Sequence, residues 1–235
     1  AHTAEIEHVR FPKYMREICD MSDYLFFISK HTQRDYQRFI KENDITNRPK
    51  TKVIILGEDF ETAIPRKPSF AIEKKFILNV GTVEVRKNPV IFYQAYKLAM
   101  QNSIDLPHLY IVGREGWLTD NIVYQIKHDD DVREKITILN SVDDEELSWL
   151  YDHCEFFLFP SFYEGWGLPV AEAASHGKIS VASSASSVPE IIDDAAYYVS
   201  PYDAQEFLRA ICEMLDPANR KEYEIRLNDR VAHTW

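Results

Sequence analysis

From residue 76 onward, short apolar runs alternate with longer segments in which apolar residues recur at helical spacing. Most of the short runs are continuously apolar, which is typical of parallel strands that are covered on both faces. The predicted strands lie at residues 76–81, 108–113, 136–139, 155–160, 179–182 and 196–199.

The segments between these strands carry helix start signals. Pro89 follows Asn88 before one helical segment, where the missing N–H of proline does no harm. Asp143 and Asp203 each precede a glutamate at the spacing of a capping box. Strands and helices that alternate at these lengths predict right-handed βαβ units. The expected fold class is therefore α/β, with a Rossmann-like, doubly wound parallel sheet.

The first 60 residues have a less regular pattern. Residues 23–29 and 51–56 predict strands, and residues 32–43 predict a helix between them. Two strands are too few for an independent open sheet, so we expect this part to complete a domain that lies mostly upstream. Prolines and charges of both signs then predict a linker. The predicted segments are the end of an N-terminal domain (1–60), the linker (61–75), the Rossmann-like domain (76–215) and a C-terminal helical segment (216–235).

Composition and charge disfavour several classes of function. The chain has 235 residues, of which 45% are apolar, enough for a large core. Its net charge of -11 disfavours binding to nucleic acid, which needs clustered lysine and arginine. The three cysteines, Cys19, Cys154 and Cys212, are far apart, so we expect neither a disulfide framework nor a zinc site, and a reducing cytosol fits best.

Residues 159–177, FPSFYEGWGLPVAEAASHG, hold the strongest candidate chemistry. They predict a strand, a loop and a helix, and ligands of open parallel sheets bind where such loops follow strands. The amides of Gly165 to Leu168 suit a phosphate. Glu172, about 7 Å along the helix axis, suits the hydroxyls of a ribose, and Glu164 those of a second group across the phosphates. An ordinary strand-to-helix turn is the alternative on spacing alone.

Further loops are predicted at the same edge of the sheet. Arg86 and Lys87 follow strand 76–81, and two cations there suit a diphosphate, although an exposed basic pair is the alternative. Gly113 ends the next strand, and residues 139–147 form another loop. Because several such loops meet at one edge, the pattern favours a binding site over independent turns.

Other candidate chemistry has less support. The aspartates of residues 128–135 are predicted to form a solvated loop at the opposite edge of the sheet, and the histidines show no metal-binding spacing. The serines lack the nucleophile elbow of a hydrolase. A glycosidase pair of Glu164 and Glu172 explains neither the glycines nor the basic pair. No metal site is predicted.

The segments VGTVEVRKNP, LYIVGREGW and PSFYEGWGLPVAEA, with the closing AHTW, resemble the family 4 retaining glycosyltransferases. The resemblance covers residues 76–215 closely and residues 20–60 more loosely. It implies a GT-B fold of two facing Rossmann-like domains, of which this chain is chiefly the C-terminal, donor-binding one. A glycan or lipid-linked saccharide acceptor would bind mainly to an N-terminal domain that is largely missing, so the chain alone is expected to be inactive.

The resemblance also implies roles for the candidate residues. Glu164 would bind hydroxyls of the transferred sugar as the catalytic carboxylate, and Glu172 would bind the ribose. Arg86 and Lys87 would bind the phosphates. The other implied donor contacts are Gly113, Val142 beside the base, and the amides of Gly165, Trp166, Gly167 and Leu168.

Enzymes of this family retain the anomeric configuration and need no metal or other cofactor in the donor site, because positive charge stabilises the leaving diphosphate. The wording SFYEGWGLPVAE is most like bacterial mannosyltransferases of O-antigen or capsule synthesis. GDP-mannose is therefore the leading donor, although no residue fixes the base. We expect a cytoplasmic enzyme, peripheral at the inner face of the bacterial membrane. A nucleotide-sugar epimerase of the same architecture and a non-catalytic nucleotide-binding module are the alternatives.

Overall fold

The computed structural model describes residues 2–58 and 63–232, with side chains from residue 10 onward. Most of the closing AHTW segment lies outside these ranges. The chain divides into two compact units, residues 1–56 and 57–235. The finer division at residues 60, 75 and 215 stays a prediction.

The first unit contains a strand–helix–strand motif. After α1 (His2–Met21) come β1 (Tyr24–Phe27), α2 (Lys30–Glu42) and β2 (Lys50–Val53). β1 and β2 pair in parallel, which confirms the two predicted strands at shorter bounds. The predicted helix begins earlier than expected, because the hydroxyl of Ser29 accepts a hydrogen bond from the Thr32 N–H and caps α2.

Helix α1 was not predicted from the apolar pattern. It contains Pro12, a residue that disfavours the interior of a helix. Its Cys19 is nevertheless fully buried with Tyr36, Ile40 and Ile45 in a small apolar core. Tertiary packing of the helix therefore outweighs the local preference of its sequence.

The described residues of the second unit form a six-stranded parallel sheet in the order β5-β4-β3-β6-β7-β8. The strands are β3 (Phe76–Val80), β4 (His108–Val112), β5 (Ile136–Leu139), β6 (Phe157–Phe159), β7 (Ser180–Ser183) and β8 (Ala196–Val199). The strand order reverses between β3 and β6, where Leu78 pairs with Phe157. This is the order of a Rossmann-like doubly wound sheet, so the predicted fold class is confirmed.

The described part of this unit contains seven α-helices, of which those that begin after Asn88, Asp143 and Asp203 start at the predicted signals. The seven are α3 (Pro89–Gln101), α4 (Asp120–His128), α5 (Asp144–His153), α6 (Leu168–Ser175), α7 (Pro189–Ile192), α8 (Ala204–Leu215) and α9 (Pro217–Asp229). Asp143 accepts a hydrogen bond from the Glu146 N–H at 2.8 Å, and Asp203 accepts one from the Glu206 N–H at 3.0 Å. The return contacts of the two boxes are replaced by others: the Glu206 carboxylate accepts from the Ser200 N–H at 3.1 Å, and the Glu146 carboxylate lies 3.4 Å from Arg66 Nη1.

Helices cover both faces of the sheet. Ile77, Leu109 and Val181 belong to an apolar core that includes side chains of α3, α4 and α8. Side chains at alternate positions face the other layer, where the ring of Phe76 stacks at 6.4 Å on Trp149 of α5. Burial on two faces explains why these strands read as continuous apolar runs.

The described part of the predicted linker packs against α5. Arg66 forms ion pairs with Asp143 and, at 2.8 Å, with Glu145. The Arg66 N–H donates to the Glu145 carbonyl at 3.0 Å, and the Ser148 hydroxyl donates to the Ala63 carbonyl at 3.1 Å. Side-chain and backbone contacts therefore fix residues 63–66 to the start of this helix.

Candidate functional site

The candidate site lies at the carboxyl edge of the sheet, between β3 and β6. The strand order reverses here, and the loops after the two strands lead to opposite faces, which opens a crevice where ligands of such folds bind. The loop after β3 holds Arg86 and Lys87 in a short 3-10 helix (Val85–Lys87), and the loop after β6 holds Glu164.

Glu164 joins these two loops. It is only 6% exposed, and its Oε2 accepts a hydrogen bond from Arg86 Nη1 at 2.6 Å. Its Oε1 lies 2.7 Å from Lys87 Nζ, as an ion pair without the angle of an aligned hydrogen bond. A buried carboxylate is costly unless it is paired, so the two cations account for the burial of Glu164. The predicted acid and the predicted basic pair thus come together in one cluster.

Lys87 is also held by apolar contacts. Its Nζ lies 4.8 Å from the ring centre of Phe159, a cation–π distance. Its stem crosses Gly81, where an added Cβ would lie 3.5 Å from Lys87 Cε. The lysine is therefore extended toward the crevice end of β6.

Arg86 is anchored at several points. Its Nη1 also donates to the Tyr163 carbonyl at 2.8 Å, and its Nη2 donates to Glu84 Oε1 at 2.6 Å. Burial by itself lowers the pKa of Arg86, but the attraction and hydrogen bonds of Glu164, and then of Glu84, raise that pKa above its usual value. The guanidinium stays charged and its orientation is fixed.

Two serines after β7 fix the backbone around Glu164. The Ser186 hydroxyl accepts a hydrogen bond from the Glu164 N–H at 2.8 Å. The Ser187 hydroxyl is fully buried and can donate to the carbonyls of Glu164, at 2.8 Å, and Trp166, at 3.0 Å. These contacts fix the backbone of the loop at Glu164 and Trp166, next to the Tyr163 carbonyl that Arg86 Nη1 binds.

The predicted phosphate-binding amides lie at the start of α6. Gly167 is the N-cap residue with a φ of 124°, and an added Cβ there would lie 2.6 Å from Ile191 Cδ1. Gly165 and the buried Trp166 lead into it, and Leu168 is the first helical residue. Pro169 has no N–H and the Val170 N–H donates to the Gly167 carbonyl at 3.0 Å, so the donors that this end can offer are N–H groups of the residues before Pro169. This end therefore supplies donors and a partial positive charge at the edge of the sheet.

Glu172 lies on the second turn of α6. Its Oε2 accepts a hydrogen bond from the Tyr151 hydroxyl at 3.0 Å. Tyr151 is buried, and burial followed by the charge of Glu172 raises the pKa of this tyrosine well above its ordinary value. The phenol therefore stays protonated and orients the carboxylate of Glu172, as a ribose-binding residue would require.

Gly113 and Val142 lie at the same edge, after β4 and β5. An added Cβ at Gly113 would lie 2.0 Å from the Gly81 carbonyl oxygen, so close packing of two loops by itself requires a glycine there. Val142 is half-buried in the loop that leads to α5. Their predicted contacts with the donor stay predictions.

The sequence did not reveal several residues that hold the candidate site residues and their loops in place. They are Glu84, Tyr151, Ser186, Ser187 and Asn88, and the last was noted only as a helix signal. Asn88 has a left-handed φ of 58°, and its side-chain amide donates to the carbonyls of Pro160, at 3.2 Å, and Pro201, at 2.8 Å. An asparagine before a proline at the start of a helix was the one signal in the sequence that pointed to this position.

The aspartate run lies between α4 and β5, away from the carboxyl edge, as predicted. Asp129 accepts hydrogen bonds from Lys97 and Tyr93, which lower its pKa to about 2, and Asp131 lies 2.7 Å from Lys97. Within residues 2–58 and 63–232, no group of three or more His, Cys, Asp or Glu side chains is arranged to hold a metal ion. The described helices include none long and apolar enough to cross a membrane.

The fold and the family of the chain are shown by comparison with known proteins. The sucrose-phosphate synthase of Thermosynechococcus elongatus superposes with a TM-score of 0.69 at 21% identity, over 92% of this chain and 56% of that chain. Such structural neighbours are GT-B glycosyltransferases. Residues 60–227 match the family described as glycosyl transferases group 1, and the chain belongs to that family. The resemblance inferred from the sequence is confirmed.

The similar curated proteins include mannosyltransferases. The O-antigen chain mannosyltransferase B of Escherichia coli is 30% identical over 227 residues, a match covering 92% of this chain and 58% of that protein. A serotype-specific mannosyltransferase of Escherichia coli is 26% identical over 219 residues, which cover 87% of this chain and 27% of that protein. The chain therefore spans little more than half the length of the first relative.

Proposed function

We propose that the chain is the donor-binding part of a retaining glycosyltransferase. The reaction would move a sugar, mannose from GDP-mannose, to a glycan or lipid-linked acceptor bound mainly by an N-terminal domain. The observation that carries this proposal is the cluster of Glu164, Arg86 and Lys87 at the switch point of the sheet. Membership of the family supports the reaction class, and the mannosyltransferase relatives support the choice of donor.

Each part of the donor has a candidate partner in this proposal. The diphosphate binds against Arg86, Lys87 and the N–H groups at the start of α6. Glu172, oriented by Tyr151, binds the ribose hydroxyls. Glu164 binds hydroxyls of the sugar as the carboxylate closest to the reacting centre.

The leaving diphosphate gains negative charge as the glycosidic bond breaks. Cations and amide dipoles that are already fixed in place stabilise that charge without reorganising. The acceptor hydroxyl attacks from the same face as the departing group, without a protein nucleophile, and passes its proton to the leaving phosphate oxygen, so the anomeric configuration is retained. Because two cations and a helix end supply the positive charge, we propose that donor binding needs no metal ion.

The proposal is tested by calorimetry of this chain with GDP, UDP, ADP and CMP, in the presence of EDTA. We expect GDP to bind most tightly, and Lys87→Met to weaken GDP more than guanosine. Methionine keeps the stem over Phe159 and removes only the charge. A charge-assisted contact is worth about 1.5–3 kcal/mol, so the loss for GDP should be about tenfold or more.

Lys127→Met is the matched control, because Lys127 pairs with Glu115 rather than with Glu164. It should leave both affinities unchanged. Equal losses for GDP and guanosine in Lys87→Met would place Lys87 outside the phosphate site. A strict requirement for a divalent cation would overturn metal independence, and failure of every nucleotide to bind would overturn the proposed function.

A further inference from the structure

We propose that Glu84 is a positioning residue for diphosphate binding, which fixes the guanidinium of Arg86 at the carboxyl edge of the sheet. Neither the apolar pattern nor membership of the family assigns a role to this glutamate. The proposal rests on the proposed function for the identity of the ligand. The contact between Glu84 and Arg86 is itself a feature of the structure.

Both carboxylate oxygens of Glu84 are occupied. Oε1 accepts from Arg86 Nη2 at 2.6 Å, and Oε2 accepts from Trp117 Nε1 at 3.0 Å. The Glu84 side chain is only 15% exposed. A carboxylate with donors on both oxygens and little contact with water has a restricted orientation, and it passes that restriction to the arginine it binds.

The backbone that carries Trp117 is itself fixed to the loop that carries Glu84. The Val83 N–H donates to the Arg114 carbonyl at 2.8 Å, and the Gly116 N–H donates to the Val83 carbonyl at 2.7 Å. An added Cβ at Gly116 would lie 3.0 Å from that same carbonyl oxygen, so the two loops are in close contact. Trp117 therefore donates to Glu84 from a loop that is held at two backbone positions.

Glu84 and Glu164 hold different nitrogens of the same guanidinium. Glu164 binds Nη1, whereas Glu84 binds Nη2. In the proposed function Glu164 turns its hydrogen-bonding capacity to the sugar, and Arg86 then depends on Glu84 for its orientation. An arginine that is already held loses less rotamer entropy when it binds a phosphate.

The sign of the expected effect separates positioning from simple charge. Glu84 carries a negative charge beside an anion-binding arginine, and that charge repels a diphosphate. Electrostatics alone therefore predicts that removing the charge strengthens diphosphate binding. Positioning predicts the opposite, because the freed guanidinium must be ordered when the ligand binds. A single substitution that keeps the shape of the side chain distinguishes the two.

We would compare Glu84→Gln with the unaltered chain by calorimetry, using the tightest-binding diphosphate of the panel and its nucleoside. We expect the diphosphate to bind about tenfold more weakly, equivalent to about 1.4 kcal/mol, with the affinity for the nucleoside unchanged. Glu115→Gln is the matched control. It removes the same charge from the loop after β4, where Glu115 pairs with Lys127.

Tighter or unchanged diphosphate binding in Glu84→Gln would overturn the proposal, as would equal losses for diphosphate and nucleoside. If the unaltered chain binds no nucleotide, the proposed function fails. NMR of the arginine side chains then tests separately whether Glu84 restricts the Arg86 guanidinium. The guanidinium resonance of Arg86, assigned from its loss in Arg86→Lys, should show hindered rotation that becomes faster in Glu84→Gln but not in Glu115→Gln. Rotation that is equally fast in all three proteins would overturn positioning independently of any ligand.

Discussion

Glu164 sets the charge balance of the candidate site. Arg86 and Lys87 both pair with it, and Arg86 pairs with Glu84 as well, so two carboxylates balance two cations. A diphosphate that binds these cations must therefore compete with the carboxylate already between them. The same residue is proposed to bind the sugar, so its charge opposes the bare diphosphate while its hydrogen bonds favour the intact donor.

Glu164→Gln should reveal both effects. We expect bare GDP to bind about five times more tightly, because the two cations lose a competing anion. The preference for GDP-mannose over GDP should fall, since the neutral amide makes weaker hydrogen bonds to sugar hydroxyls. Calorimetry at low and high salt measures both, and the gain for GDP should shrink as salt screens the charges.

Asp129→Asn is the control for this substitution, because it removes a lysine-paired carboxylate at the opposite edge of the sheet. It should leave GDP binding unchanged. Weaker GDP binding in Glu164→Gln would show that Glu164 does not stand in the place of the diphosphate.

At the scale of elements, the sequence predicted the strands, the start signals of several helices and the edge of the sheet where the candidate site lies. These features depend on local periodicity and on residues such as Pro89 and Asp143, whose effect is confined to neighbouring positions. The meeting of Arg86 with Glu164 was not predictable as a contact. It joins residues 78 positions apart and requires that β3 pair with β6.

Other parts of the site left no pattern to read. Ser186 and Ser187 occur in a serine-rich loop, where the sequence does not distinguish one serine from another. Only the folded loop shows which backbone groups each hydroxyl binds. From the sequence alone, Glu84 is expected to be a solvated acid, because its hydrogen bond from Trp117 forms only in the folded chain. These roles arise from contacts between loops, which periodicity does not encode.

Gly167 is the element-scale position where a backbone requirement can be tested. Gly167→Ala combines an unfavourable positive φ of 124° with a Cβ placed 2.6 Å from Ile191 Cδ1. We expect the free energy of unfolding to fall by about 2 kcal/mol, since strain and overpacking each cost about 1–3 kcal/mol. Urea unfolding followed by circular dichroism measures the change.

Gly177→Ala is the matched variant at the other end of α6. Gly177 also has a positive φ, of 68°, but no atom lies within 4 Å of its added Cβ. It should cost about 1 kcal/mol, from the left-handed backbone alone. Equal losses in the two variants would mean that Ile191 yields to the new methyl group, and that crowding does not explain the glycine at the start of α6.

For the molecule as a whole, buried phenols make the second unit sensitive to alkaline pH. Burial raises the pKa of Tyr96, and burial followed by Glu172 raises that of Tyr151. Burial, followed by the hydrogen bond to Glu213, raises the pKa of Tyr197 to about 12. Each of these tyrosines is therefore protonated in the folded chain at pH values where an unfolded chain has begun to lose the proton.

The direction of the pH dependence follows from these raised values. Below the ordinary tyrosine pKa of about 10, folded and unfolded chains hold the same protons, so this stability is fully present. As pH rises above that value, the unfolded chain releases protons first, and each tyrosine lowers the free energy of unfolding by up to about 1.4 kcal/mol per pH unit. Urea unfolding at a series of pH values should show a free energy of unfolding that falls more steeply as pH rises.

Tyr96→Phe tests the contribution of one tyrosine. The variant lacks a buried phenol and its hydrogen bond to the Pro107 carbonyl, so it should be less stable at neutral pH, but its stability should fall with a shallower slope as pH rises. An unchanged slope in this variant would show that Tyr96 ionises alike in the folded and unfolded chains.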